Sequence, residues 1–179
     1  LKERDAYHRA LGEFVSQFAS VERAMQISLR ISSGISPSMA AALFSGARTE
    51  AIASYTRRIG ETENWPDSKT KELKYVFEQL ALINRVRNDV LHHGAKPISE
   101  NKLTSPLGAD DWLVSTELVA HTVDKIRETH LNPSILGLLT SDLRKIRVHL
   151  VAIFDEDGEK ARHVFGQELK RAWLYKPAQ

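Results

Sequence analysis

Apolar residues recur every three or four positions along most of this chain, and that spacing restricts it to a fold built from helices. The pattern is clearest in the first segment, where the apolar positions are Leu11, Phe14, Phe18, Val21, Met25 and Leu29. They predict one amphipathic helix over about residues 3–32, which Ser33 and Gly34 end because glycine supplies the geometry of a helix C-terminus.

The same periodicity continues in later segments. Ser36 as N-cap and Pro37 at the first helical position begin a second helix, with Gly46 near its middle. The further helices are predicted at about residues 37–59, 69–93, 116–130, 133–154 and 159–174. The sequence therefore predicts an all-α fold, an antiparallel helical bundle of about five to six helices in a single domain over residues 1–179.

Residues 95–114 break the helical period and are predicted to form an irregular loop. Pro97, Pro106 and Gly108 interrupt any regular spacing. Two short extended pieces, near residues 102–103 and 111–114, are expected to pair as a small hairpin.

Composition narrows the class of protein. With 179 residues, 42% of them hydrophobic, the chain can bury a full core, and its formal charge of +2 permits a nucleic acid as partner. The absence of cysteine excludes disulfides, zinc fingers and thiol nucleophiles, and favours the cytoplasm. No apolar stretch approaches the roughly 18 to 20 residues of a membrane span. Because the chain begins with Leu1 and not Met, we expect its natural termini to lie elsewhere.

Residues 84–94, Asn-Arg-Val-Arg-Asn-Asp-Val-Leu-His-His-Gly, carry the strongest functional pattern. At about 100° per residue, Asn84, Arg87, Asn88 and His92 share one side of the predicted helix. A guanidinium binds phosphate through two hydrogen bonds, and an imidazole transfers protons near neutral pH. The helix dipole also favours a charged imidazolium at this C-terminal position. The combination is what metal-free phosphodiester chemistry needs.

The angles also set limits. His93 points roughly 100° beyond His92, which makes it the poorer candidate. Arg87 and His92 lie about 140° apart around the helix axis, which is too far for both side chains of a single chain to contact one phosphate easily. An active site built on them is therefore expected to need two chains.

Plainer interpretations stay open for these residues. Arg87 and His92 also fit a helix C-terminus that they merely cap and solvate. Glu22 falls on the apolar stripe of the first helix, where a carboxylate needs a partner. It either pairs with Arg87 or another cation of the site, or lies at the edge of the stripe beside Arg23 or Arg30.

The last predicted helix also has two interpretations. It is either a basic, aromatic arm that contacts RNA or, as we favour, an amphipathic helix with its charges in water. The residues of the first interpretation are Lys160, Arg162, Lys170, Arg171, Trp173, Tyr175 and Lys176. Those expected to pack inward in the second are Val164, Phe165, Leu169 and Trp173.

No metal site or cofactor is predicted. His121, His149 and His163 lie on separate predicted helices, and no His-Glu-x-x-His string is present. Asp89, His92 and His93 diverge around their helix. Phosphate-binding loops rich in glycine and nucleophile elbows are also missing from the sequence.

The string Arg87-Asn88-Asp89-Val90-Leu91-His92, followed by Gly94, resembles the signature of the HEPN superfamily. That signature is an arginine, an adjacent polar residue and a histidine after four to six residues, near the end of a long helix in an all-α bundle. Residues 18–25 resemble the family's first helix, which carries an acidic residue among apolar ones. The likeness covers about residues 3–154.

This resemblance implies a metal-independent ribonuclease, usually a homodimer in which the two motif helices meet at a shared cleft. Arg87 would hold the scissile phosphate, and Asn88 would orient His92 or the phosphate. His92 would take the proton of the ribose 2′-OH or give one to the leaving oxygen, and the product would be a 2′,3′-cyclic phosphate. The supporting residues of this site would be Glu22, Asn84 and His93.

The resemblance also implies RNA as the substrate, a nucleotidyltransferase or another defence component as a partner, and a role in prokaryotic stress or defence. Many members of the superfamily do not cleave RNA, and serve as modules that bind RNA or a nucleotide or that dimerise. A third alternative is a helical interaction domain without any role in nucleic-acid binding.

Overall fold

Helices account for most of the described chain, as the apolar spacing predicts. The computed structural model describes residues 2–97, 112–115 and 128–177. The helices in that part of the chain are α1 (Lys2–Ser33), α2 (Pro37–Phe44), α3 (Thr49–Thr62), α4 (Asp67–His93), α5 (Pro133–Phe154), α6 (Gly158–Val164) and α7 (Gly166–Lys170). The strands are β1 (Lys96–Pro97), β2 (Trp112–Ser115) and β3 (Glu128–Leu131). The prediction of an all-α helical bundle is confirmed.

The core lies where α1 and α5 pack against each other, with α3 and α4 closing its sides. The predicted stripe of α1 is buried, including Phe14, Phe18 and Leu29, and it meets Leu139 and Ile146 of α5 in one apolar cluster. Each such side chain stabilises the fold by about 1.5–3 kcal/mol on burial. The bundle thus fixes the position of α4, the helix with the Arg-Asn and His pattern.

Caps define several helix ends. The Ser36 hydroxyl accepts a hydrogen bond from the backbone N–H of Met39 at 3.3 Å, and Asn132 accepts one from Ile135 at 2.9 Å. Proline follows each of these N-caps at the first helical position, where it has no helical hydrogen bond to lose. Gly94 ends α4 with a φ of +66°, as predicted.

The predicted single helix over residues 37–59 is wrong, because the chain forms α2 and α3 with a break between them. Gly46 lies in the break with a φ of +75°, a conformation that favours glycine and ends α2. The chain therefore turns after Phe44 and begins a new helix at Thr49. This turn brings the first residues of α3 towards α1 and α4.

A small antiparallel sheet replaces the end of another predicted helix. Residues 128–130, predicted as helical, lie in β3, which pairs with β2 so that Leu131 lies opposite Trp112. Residues 116–127 lie outside the described part. Pairing buries Leu131, and the residue before Pro133 avoids helical geometry. Of the predicted hairpin, residues 112–114 lie in β2, which pairs with β1 and β3. Residues 102–103, the other predicted extended piece, lie outside the described residues.

The last predicted helix is also wrong in its extent. It divides into α6 and α7, and residues 171–177, here called the C-terminal strap, are not helical. Val164 and Phe165, expected to pack inward, are exposed. Trp173 does pack against the core, since its ring stacks on Tyr75 at 4.7 Å between centroids.

One buried carboxylate holds the C-terminal strap. Asp142 of α5 accepts hydrogen bonds from the backbone N–H groups of Leu174 and Tyr175, at 3.0 and 2.8 Å. The side chains of Gln79 and Arg171 donate to it as well. These bonds favour an extended strap over a continued helix.

No described helix combines the length and the apolar character that crossing a membrane would need.

Candidate functional site

The C-terminal half of α4 presents a polar face. Asn84 is buried, Arg87 and Asn88 are half-buried, and His92 is exposed. The Arg87 guanidinium donates a hydrogen bond to the Asn88 side-chain carbonyl at 2.9 Å, and its central carbon lies 5.2 Å from the centre of the Phe18 ring. A cation over an aromatic face is attracted to it, so α1 and Asn88 together set the direction of Arg87.

The facing wall comes from α1 and the start of α3. The Thr49 hydroxyl donates to the Glu22 carboxylate at 3.2 Å, which ties α3 to α1. The Asn84 side-chain amide donates to the Glu50 carboxylate, which ties α4 to α3. The two walls enclose a cleft of about 490 Å³, here called the α4 cleft. Residues from three helices therefore meet at one concave surface.

The break at Gly46 positions this facing wall. Because α3 begins anew after the turn, its N-terminus borders the α4 cleft, with Arg48 as the N-cap residue. In the described chain no side chain caps this end by a hydrogen bond. The first N–H groups of a helix and its dipole give a partial positive charge there, which favours anions.

Five of the six site residues predicted from the sequence line the α4 cleft. They are Glu22, Asn84, Arg87, Asn88 and His92. The sixth, His93, is not among the described residues that line it, in keeping with its angle on the helix. Their catalytic and supporting roles stay predictions.

Of the two interpretations of Glu22, the pairing with a cation of the site is not found among the described residues, whereas a position at the edge of the apolar stripe agrees with its half-buried side chain. Within the described part of the chain no ion pair joins Glu22 to Arg87, and the half-buried carboxylate is held by the Thr49 hydroxyl. Both carboxylates of the α4 cleft, those of Glu22 and Glu50, therefore already have hydrogen-bond donors. Arg48 and Arg87 line the same cleft, and a guanidinium group is suited to binding an anion.

Sequence reasoning missed four further polar or charged residues that line the cleft. They are Gln26, Arg48, Thr49 and Glu50. Gly46 was the available signal, because a glycine within a predicted helix can also end it. Dividing that helix would have placed Arg48, Thr49 and Glu50 at a helix start.

Metal ligands do not cluster in the described ranges: no group of three or more His, Asp or Glu side chains there could hold an ion.

Comparison with known proteins found no match to this chain among models of protein families, curated proteins or solved structures.

Proposed function

We propose that this chain is a HEPN-like, metal-independent endoribonuclease whose active site is completed by a second copy of the chain. The observation that carries the proposal is the meeting of Arg87, Asn88 and His92 with Glu22 of α1 in one cleft. These residues combine anion-binding and proton-transfer chemistry at a concave polar surface. RNA is the substrate that this chemistry suits, because its own 2′-OH is the nucleophile.

The phosphate would be held at the base of the α4 cleft. Arg87, aimed by Asn88 and Phe18, offers two N–H donors to phosphate oxygens. Arg48 and the N-terminus of α3 add positive charge on the opposite wall. Donors fixed before the reaction stabilise the charge that develops on the phosphoryl oxygens.

His92 would supply proton transfer. As base, it removes the proton of the ribose 2′-OH while that oxygen forms a bond to phosphorus. The bond from phosphorus to the 5′ oxygen then breaks, and an acid protonates the departing oxygen. The products are a 2′,3′-cyclic phosphate and a 5′-hydroxyl end. Both steps fit a site with two imidazoles, one from each protomer.

Two features of α4 favour a second copy as the missing half. Arg87 and His92 line one cleft but lie about 140° apart on the helix, so His92 of a second chain would complete the contacts to a phosphate that Arg87 holds. Leu91, next to His92 in the sequence, is 48% exposed. A second α4 packed there would cover Leu91 and bring its own His92 towards the first Arg87.

The test is cleavage of a labelled single-stranded RNA of mixed sequence in the presence of a chelator. We expect His92→Ala to slow cleavage at least about 100-fold, the typical contribution of a proton-transfer group. His163→Ala, which removes an exposed histidine from α6, is the matched control and should cut at the parent rate. Mass spectrometry should find 2′,3′-cyclic phosphate ends. An H92A protein as fast as the parent contradicts the assigned role.

A non-catalytic HEPN-like module that binds RNA or a nucleotide is the second candidate. It is favoured by the bond between Arg87 and Asn88, because the Asn88 carbonyl is then engaged by Arg87 and is not orienting His92. This candidate predicts tight RNA binding with no turnover. Turnover that Arg87→Ala abolishes would exclude it.

A further inference from the structure

A second cleft adjoins the α4 cleft. It lies between α1 and α2, has a volume of about 450 Å³, and is here called the α2 cleft. Gln26 lines both clefts, and Ser45 of the α2 cleft is followed directly by Gly46 of the α4 cleft. The two clefts are therefore neighbours on the face of α1.

Positive charge lines this second cleft without acidic neighbours. Arg23 and Arg30 are seven residues apart on α1, so they lie about 10 Å apart on nearly the same side of the helix. None of the described residues that line the α2 cleft is acidic. Neither guanidinium has a hydrogen-bond or ion-pair partner among the described side chains.

The α2 cleft also offers an apolar platform. Phe44 lines it with a partly buried ring, which lies 6.0 Å from the Tyr55 ring between centroids. Ile27, an exposed apolar residue of α1, lines the same cleft between the two arginines in sequence. An aromatic ring beside unpaired guanidinium groups is the arrangement by which proteins hold single strands, with bases stacked on rings and phosphates on cations.

We propose that the α2 cleft is a subsite for single-stranded RNA that leads into the α4 cleft. Arg23 and Arg30 bind two backbone phosphates, and Phe44 stacks on an unpaired base between them. The strand then passes Gln26 to reach Arg87. A base paired within a duplex presents only its edge, so the platform selects a single strand. The assignment rests on the proposed function and adds to it the form of the substrate and its path.

The test measures binding apart from cleavage. The probe is a short, fluorescently labelled oligouridylate whose riboses all carry 2′-O-methyl groups, so it has no 2′-OH to attack phosphorus. Fluorescence anisotropy follows its binding between about 50 and 200 mM salt. We expect R23Q/R30Q to weaken binding roughly tenfold and to lower the slope of log affinity against log salt by about 1.4, the value for two single-strand phosphate contacts.

Two control proteins sharpen the result. Arg9→Gln with Arg147→Gln removes the same charge from exposed positions outside both clefts, and should keep the parent slope. Phe44→Leu keeps an apolar side chain without the ring. It should weaken binding about tenfold with the slope unchanged, because stacking does not release counterions.

Two outcomes overturn the subsite. One is an R23Q/R30Q protein that binds the oligouridylate with the affinity and slope of the R9Q/R147Q control. The other is that the protein binds a duplex of equal length as tightly as the single strand, and that Phe44→Leu weakens the binding of both equally. The proposed function is tested separately, because its test measures RNA cleavage by H92A, whereas the test of the subsite measures binding.

Discussion

The carboxylate of Asp142 determines where the end of the described chain lies. It is fully buried, and its oxygens accept hydrogen bonds from Leu174, Tyr175, Gln79 and Arg171. Burying a charge costs several kcal/mol, which these donors offset. A change at this one residue therefore affects both α5 and the C-terminal strap.

We expect Asp142→Asn to lower the free energy of unfolding by about 3 kcal/mol, because it removes the negative charge that faces Arg171 and replaces one acceptor oxygen with an NH2 group that faces N–H donors. Urea denaturation at neutral pH measures the change. Glu168→Gln is the matched control, since Glu168 also bonds Arg171 but is partly exposed, and its loss should cost less than about 1 kcal/mol. Equal losses in the two variants would contradict the role of Asp142.

At the residue scale, prediction from the sequence succeeded within one helix and failed between helices. Asn84, Arg87, Asn88 and His92 share a face because their spacing alone determines their angles. Glu22 was identifiable because a carboxylate in an apolar stripe needs a partner. The missed residues belong to other elements, and only the packing of α1 and α3 against α4 brings them into the cleft.

At the scale of elements, an ionic cluster joins three helices. Glu72 of α4 lies 2.7 Å from the Nδ1 atom of His149 in α5 and 2.8 Å from a guanidinium nitrogen of Arg162 in α6. Burial raises the pKa of Glu72, but the hydrogen bonds and charges of His149 and Arg162 together outweigh it, so that the pKa lies below its ordinary value. The charged form of Glu72 therefore stabilises the folded state.

A lowered carboxyl pKa gives a defined dependence on pH. The stability that it contributes is fully present above the ordinary glutamate pKa of about 4.3 and is lost as the pH falls through the lowered pKa. We expect Glu72→Gln to lower the free energy of unfolding by about 2 kcal/mol at neutral pH, and by less as the pH falls below about 4. Denaturation series at several pH values measure the difference between parent and variant.

The control for this series is Glu78→Gln. Glu78 pairs with Lys74 at 3.9 Å on the surface, so its removal should cost little at any pH. If the difference in the free energy of unfolding between the parent and E72Q stayed constant from neutral to strongly acidic pH, the stabilising role of the charged Glu72 would be contradicted.

Long elements were predictable and short ones were not. The extents of α1, α4 and α5 follow from amphipathic stripes many turns long and from local caps. β3 exists because it pairs with β2, which no periodicity within four residues reveals. The strap replaces a helix because Asp142, on another element, binds its backbone.

At the scale of the whole molecule, the proposed active site requires two chains. We expect the parent protein to have the mass of a dimer in light scattering behind size exclusion. Leu91→Asp should give a monomer that cuts RNA at least tenfold more slowly, because a charge in the proposed contact would have to be desolvated. Val164→Asp, at a side chain that is 61% exposed on α6, should remain dimeric. Full activity in a monomeric L91D protein would exclude a shared site.

The packing of α1 mainly against α5 has a consequence for synthesis of the protein. The ribosome makes about 100 residues between the end of α1 and the start of α5. At synthesis rates of about 5 to 20 residues per second, this takes roughly 5–20 s. Throughout that interval the side of α1 that α5 will cover is apolar and lacks its partner on the nascent chain. This is the stage at which a chaperone would bind the chain with greatest benefit and at which premature termination would release a fragment prone to aggregate.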